Sequence, residues 1–573
     1  MPDPSSRRHS RAWLIPALIA AAAAGVLVYW TLTARPMWVD EEMLALNVRD
    51  RGFLQLTGPL WLDQSAPFGW LVLERLMMLV FGTGERAVRA LTVIFGIGTL
   101  STAWWIGRRW MTPFGAAVLV ALCGTGEWLV FFTLELKHYS ADAAGALLVP
   151  ALAAWVLDAD SRSATDAPWS ATALAERQSC SDRIIPWWST AAAAMWFSNG
   201  ALFVTPLCAL VLLRSALRRR TAHDVNRFLI GGVAWLASFA AIYTVVLRHA
   251  LANAYLKNYW AFALPPTSEG IGALVAWFGA QLAPFAVKPI GSGTPALFWA
   301  VYVVGILVGL LSGSSVAMTF ATVPISLLAL AVAGFVPTFE RLAIWSVPAF
   351  YVGIALCADV TARRVPLHGW HHRAIGLVLA ILVLVASYDV VRRGVFAIEH
   401  RPASNYGLDD RGSVRWLVDA RRPGDAVMST HYGLAGIWWY AGIDIADPVP
   451  GGRMADDAPL YEIHHVEDER ECARWSGALD AIARDRSRIV VYLGFRMNVE
   501  PDGFDRLVLE EFGRRWPLVG YKEYAELSRV AIFDLKGTPG GRLVIPSKPG
   551  PSPSEAVVRT PPGCVSVTPA RRW

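Results

Sequence analysis

The chain has 573 residues and a formal net charge of +6, with 54% hydrophobic residues, 17% charged residues and a mean hydropathy of +0.39. That balance excludes a soluble globular protein, because a single core cannot bury so much apolar surface. It also excludes nucleic-acid binding as the source of the positive charge, since the basic residues cluster between apolar blocks, where a topology bias puts them.

The apolar blocks are about 20 residues long, the length that crosses a bilayer. Residues 1–11 are basic and residues 13–33 are apolar. This run is too long for a signal-peptide core and is followed by no cleavage pattern, so it reads as an uncleaved first span. Residues 34–89 form a polar first outer loop. Inside it, residues 67–81 are apolar but short and carry Glu74 and Arg75, the make-up of a helix lying in the interface. Spans 2, 3 and 4 follow over residues 90–106, 114–134 and about 142–157, with the polar segment 135–142 between the last two. Residues 161–182 read as a loose Ser/Ala-rich loop, and spans 5 and 6 share residues 184–213, broken near 197–200. Span 7 covers residues 228–247, a second outer loop covers 249–292, and spans 8 to 11 cover 296–311, 316–335, 342–358 and 375–388. The expectation is a polytopic α-helical membrane protein of about 11 transmembrane helices.

From residue 392 to 536 the composition changes to that of a small C-terminal α/β domain. Helices at 409–420, at 432–440, one ending at 481–485 and one at 504–516 alternate with strands at 425–430 and 488–493, and a hairpin follows over 519–524 and 528–535. No G-x-G-x-x-G and no P-loop occur in it, so no nucleotide site is indicated. Residues 537–573 are rich in Pro, Gly and Ser and read as a disordered tail. Of the six cysteines, Cys123, Cys208 and Cys357 lie in apolar blocks, and Cys472 and Cys564 can pair in an oxidising compartment.

Orientation follows from counting Lys and Arg. With a cytoplasmic N-terminus, the clusters at 108–109, 214–220 and 363–373 all fall on the cytoplasmic side of a plasma (inner) membrane. The outer ends of the spans then carry Asp40, Glu41 and Glu42, Asp63 and Gln64, Glu135, Lys137, His138, Tyr139 and Asp142, and Glu340 and Arg341. Charges at this depth are costly, so a mixture of acids and bases at one level suggests a polar cavity. A carboxylate there can deprotonate an attacking hydroxyl, and Lys, Arg, His and Tyr can hold a phosphate leaving group. Taken singly, each residue also has a plainer reading. Asp40 can cap a helix, Lys137 can snorkel, Arg341 can anchor a span end, and Tyr139 can belong to the interfacial aromatic belt.

Trp38-Val39-Asp40-Glu41 resembles the Asp-Glu motif of the GT-C glycosyltransferases, which include protein O-mannosyltransferases and bacterial lipid A aminoarabinose transferases. Residues 63–89, from Asp63-Gln64-Ser65-Ala66-Pro67 to Glu85-Arg86-Ala87-Val88-Arg89, are similar to the first outer loop of bacterial members. Residues 135–142 resemble their Glu-x-Lys-Pro-Tyr-x-x-Asp motif, with His138 where Pro is common. Residues 335–341 resemble a late outer loop that carries a donor-phosphate Arg, with Leu342 where a Tyr often follows. The resemblance covers residues 12–390 and implies a GT-C-like catalytic domain over residues 1–391. It further implies transfer of a sugar, with inversion, from a polyprenyl-phosphate donor to a lipid, polysaccharide or protein acceptor outside the membrane. In that scheme Asp40 is the general base and Glu41 its partner, while Lys137, Tyr139 and Arg341 hold the donor phosphate. Gln64, Asp63, Glu135, His138, Asp142 and Glu340 line the substrate site. Some relatives use a divalent metal, and the sequence leaves that open. Two alternatives remain: a transporter or flippase of a lipid-linked substrate, and a non-catalytic assembly factor acting through the C-terminal domain. The first fits poorly, because transporters favour midplane charges and internal repeats.

Overall fold

A computed structural model of the chain describes residues 12–165, 171–219, 222–364, 370–402, 407–445, 459–495, 501–524, 527–538 and 561–570. Helix α1 spans Leu14–Leu32, 19 uncharged residues whose length, at about 1.5 Å per residue, matches a bilayer core of about 30 Å. It ends where Ala34 takes a positive φ of 52° and where Arg35 precedes Pro36, which disfavours helical backbone. Helices α2 (Val39–Asp50), α3 (Phe68–Phe81), α4 (Glu85–Trp110), α5 (Pro113–Thr125), α6 (Glu127–Thr133), α7 (Tyr139–Thr165), α8 (Ala171–Ala194), α9 (Asn199–Arg219) and α10 (Ala222–Ile242) follow. Then come α11 (Ile271–Val287), α12 (Pro295–Leu311), α13 (Thr322–Val332), α14 (Val347–Arg364) and α15 (Trp370–Glu399), with short turns between.

The described helices include 8 that are long and apolar enough to cross a membrane, or 9 if the pair α5 and α6, bent by 52°, is one span. Shorter apolar helices α11 and α12 accompany them. The protein is therefore a multi-pass membrane protein, with 8 or 9 full-length spans among the described residues where 11 are expected. The difference arises where expected spans are short or broken: α12 has 17 residues, and the expected third span is the bent pair α5 and α6. The expected loop at 161–182 is corrected too. Helix α7 runs on to Thr165 and α8 already begins at Ala171, with 166–170 outside the described residues.

The chain divides into two compact units. One comprises residues 1–34 and 53–401; the other comprises residues 35–52 and 402–573. In the membrane unit α7 packs against α4, α8 and α9, and α14 packs against α12, α5 and α15. The enclosed spans are α7 and the segment leading through α14, while α10 turns most of its apolar side chains outward. Where α12 meets α14, a Cβ on Gly305 would collide with the carbonyl oxygen of Gly353. The two backbones touch because neither residue has a side chain, the small-residue packing that holds helices together where no hydrophobic effect separates them from lipid.

The second unit is built on a six-stranded sheet in the order β4-β5-β3-β1-β2-β6. Its strands are β1 (Ala426–Ser429), β2 (Leu460–Val466), β3 (Arg488–Leu493), β4 (Leu518–Tyr524), β5 (Ser528–Asp534) and β6 (Cys564–Pro569). β3, β1 and β2 run parallel, with Val427 opposite both Leu460 and Val490. β6 pairs antiparallel with β2, and β5 antiparallel with β3. The central strands β1 and β3 are almost wholly buried, as expected of a parallel sheet covered on both faces. Helices α16 (Asp410–Ala420), α17 (His431–Tyr440), α18 (Glu469–Asp485) and α19 (Phe504–Arg515) cover it. The core includes Met428, Ile463, Val491, Phe504, Val508, Phe512, Phe533 and Val565. At one end of β3 the Arg488 guanidinium grips the buried Asp425 carboxylate with two hydrogen bonds, of 2.6 and 3.1 Å. Cys472 and Cys564 form a disulfide that ties α18 to β6. The expected disordered tail is thus corrected: residues 564–569 are an edge strand of this sheet, and only 539–560 and 571–573 lie outside the described residues.

Candidate active site

In the membrane unit the expected site residues lie in loops that hydrogen bonds tie together. The loop before α3 contains Leu62 and Asp63, both with positive φ (59° and 53°). Two consecutive left-handed residues cost about 1–2 kcal/mol each, so something must hold them. Gln64 donates from Nε2 to the Leu62 carbonyl at 3.1 Å, and its Oε1 accepts from Lys137 Nζ at 2.7 Å. Asp63 Oδ1 accepts from Asn253 Nδ2 at 2.9 Å. Asn253 in turn caps the short helix Ala254–Tyr259, its Oδ1 accepting from Leu256 N at 3.0 Å. That helix leads to Trp260, whose ring lies 5.4 Å from the Arg341 guanidinium carbon and 5.6 Å from the Phe339 ring. Thr338 N donates to the Ala263 carbonyl at 3.1 Å, closing the connection. Residues 253–263 therefore join Asp63 to Arg341, and Gln64, next to Asp63, holds Lys137.

The turn between α6 and α7 is buried throughout. Glu135, Lys137, His138, Tyr139 and Asp142 are each less than one-tenth exposed. Tyr139 packs edge-on against Phe132, with ring centroids 5.1 Å apart, and His138 meets Trp70 of α3 at 6.3 Å. Burial, reinforced by the adjacent Lys137 charge, pulls His138 down to about 3, so its ring is neutral. Asp142 reaches two ways: its Oδ2 lies 3.4 Å from His138 Nε2, and its Oδ1 accepts from the backbone N–H groups of Asn199 at 2.6 Å and Gly200 at 3.3 Å. It serves as a borrowed N-terminal cap for α9, satisfying N–H groups of the first turn that have no intrahelical acceptor. Gly200 permits the approach, because a Cβ there would strike the Asp142 carbonyl oxygen. Glu340 is paired with Lys288 at 3.3 Å.

Asp40 and Glu41 belong to the other unit. Both lie in the first turn of α2, where carboxylates complement the helix dipole. Glu41 is fully buried and its Oε2 accepts from Trp38 N at 2.9 Å, closing the N-terminus of the helix. Asp40 is the half-exposed member of the acidic triplet.

Several contributors escape sequence reasoning. Asn253 could have been found as an N-cap before an aromatic-rich helix. Lys288 lies 52 residues upstream of Glu340 in a loop without a motif, and only folding pairs them. Glu42, which the sequence leaves open as a solvated or a structural neighbour of Asp40, is fully buried. Among the described residues, no three His, Cys, Asp or Glu side chains come together as a metal-binding group.

No family model and no curated protein matches the chain. Among solved structures it is similar to ArnT from Cupriavidus metallidurans bound to undecaprenyl phosphate, at 12% identity and TM-score 0.49, over 92% of this chain and 99% of that one. It is similar to the oligosaccharyltransferase AglB from Archaeoglobus fulgidus in complex with an inhibitory peptide and a dolichol-phosphate, at 12% identity and TM-score 0.46, over 83% and 69%. It is also similar to the arabinofuranosyltransferase AftD from Mycobacteria, at 13% identity and TM-score 0.42, over 91% and 41%.

Proposed function

We propose that this protein transfers a sugar from a polyprenyl-phosphate donor to an acceptor hydroxyl on the outer side of the membrane, with inversion at the anomeric carbon. The observation that carries the reading is the network linking Lys137, Gln64, Asp63 and, through residues 253–263, Arg341. It collects two cations from turns 204 positions apart in sequence into one connected set of loops, as a departing lipid phosphate requires. Lys137 and Arg341 neutralise that phosphate as charge develops on it, and Tyr139 donates to it. Gln64, whose amide is oriented by Leu62, presents Lys137. Asp40 takes the proton of the attacking hydroxyl while the bond from the anomeric carbon to the phosphate oxygen breaks. Asp63, Asp142, Glu340, Glu135 and His138 serve as supports that hold the loops and keep the site dry. The Cys472–Cys564 disulfide supports an oxidising, extracytoplasmic location for the sheet unit.

The test is incubation of the purified protein, in lipid nanodiscs, with a panel of radiolabelled polyprenyl-phosphate sugars. Release of lipid phosphate is expected with at least one donor. A protein that binds and translocates such lipids without cleaving them would instead be a flippase.

A further inference from the structure

Helix α2, which carries Asp40, is built into the α/β unit. The Trp38 ring meets Phe495, just after β3, at 4.3 Å, and Met37 N donates to the Tyr440 hydroxyl at 2.9 Å. At the other end of α2, Arg49 donates to the carbonyls of Trp438 and Trp439 in the last turn of α17 and of Ile443 just beyond it. Between these ends stands Glu42, fully buried, with Asp410 of α16 as its hydrogen-bonding neighbour. Asp410 is itself buried and accepts from the Tyr492 hydroxyl of β3. Neither oxygen of Glu42, nor Asp410 Oδ2, has another donor among the described residues. Two carboxyls can bond to each other only when one of them is protonated.

The surroundings favour that proton. The titratable groups acting on the pair are Glu41 on α2, Asp409 at the N-cap of α16 and Tyr492 on β3. α17 presents Gly436, where a Cβ would strike Asp410 Oδ2; β5 contributes the Ser528 hydroxyl, and β4 brings Tyr524 against Gly412. Burial first, then Asp410 and Glu41, push Glu42 well above the ordinary carboxyl range. Burial likewise raises Asp410, to about 7, against the opposing hydrogen bonds from Tyr492 and Glu42.

We propose that Glu42 and Asp410, bonded through one shared proton and clasped by Tyr492, form a latch by which the C-terminal domain positions the Asp40 turn, and that the latch opens when the second carboxyl ionises. Glu42 and Asp410 are positioning residues. Their significance for turnover rests on the sugar-transfer reading, whereas the latch itself does not.

The experiment is hydrogen exchange by mass spectrometry on the full-length protein in nanodiscs, with rates normalised to the intrinsic exchange rate at each pH. Protection of the α2 amides is expected to fall about tenfold between about pH 6 and about pH 8 in the wild type. In Glu42→Gln the amide donates to Asp410 permanently, so protection should be independent of pH. Asp410→Asn is the parallel variant should Glu42→Gln misfold. Protection of wild-type α2 that does not change with pH, or an equal loss in both variants, would overturn the latch. Lipid-phosphate release is measured on the same samples. If the wild type turns over a donor, Glu42→Gln should flatten the alkaline limb of kcat while leaving donor KM within about twofold; an unchanged limb overturns the positioning role. If no donor turns over while α2 protection behaves as expected, the sugar-transfer reading falls and the latch stands.

Discussion

Asp40, Glu41 and Glu42 are adjacent in sequence and have three different environments. Glu41 closes the helix N-terminus and Glu42 is buried against Asp410, whereas Asp40 is only partly buried, as a carboxylate that meets a substrate must be. Asp40→Asn is therefore expected to lower transfer by roughly 10²–10⁴-fold with the fold intact; a well-folded variant with normal turnover would remove Asp40 as the base. Arg341 stacks on Trp260, and its neighbour Glu340 is paired with Lys288. Arg341→Ala should weaken donor affinity by about tenfold or more while acceptor KM changes little. Lipid-phosphate titration against the two proteins measures it, and equal affinities would count against a phosphate role.

At the scale of elements, α2 and β6 carry the consequences. α2 is flanked in sequence by membrane-unit residues yet belongs to the sheet unit. The carboxyls Glu42 and Asp410 are both raised by burial, so folding takes up protons that the unfolded chain releases. The resulting stabilisation is fully present below the ordinary carboxyl pKa of about 4. It is lost as pH rises from there towards about 7, the value to which Asp410 is raised. Denaturant titrations of the sheet unit, followed by exchange of β1 and β3 amides, should show decreasing stability across that window, and Glu42→Gln should reduce the slope. β6 is an edge strand whose link to the sheet is reinforced by a disulfide closing a loop with a sequence separation of 92. Its removal in Cys564→Ser should cost about 2–4 kcal/mol. Faster exchange in β6 with little change in β3 is the expected signature.

For the whole molecule, the testable quantity is orientation. The basic clusters that close α4, α9 and α14 are expected on the cytoplasmic side, and the sheet unit on the other. Val519 on β4 is more than half exposed and Arg218 near the end of α9 is exposed. A membrane-impermeant maleimide should label Val519→Cys in intact cells and Arg218→Cys only after permeabilisation. The reverse pattern would invert the topology and place the candidate site in the cytoplasm.

By itself the sequence determined that the chain crosses a membrane many times and ends in an α/β domain, because apolar run length and strand periodicity are local properties set by bilayer thickness and backbone geometry. It also singled out Asp40, Lys137 and Arg341, since charged residues at span ends stand out against an apolar background. It did not disclose β2 and β6, because a short edge strand takes its identity from its partner, and the Pro- and Gly-rich approach to residue 564 imitates a tail. Nor could it show that α2 belongs with the C-terminal domain, that Asn253 holds Asp63, or that Glu42 is buried against a carboxyl 368 positions away. Those facts depend on pairings across the whole chain, and burial and proton affinity exist only once such pairings have formed.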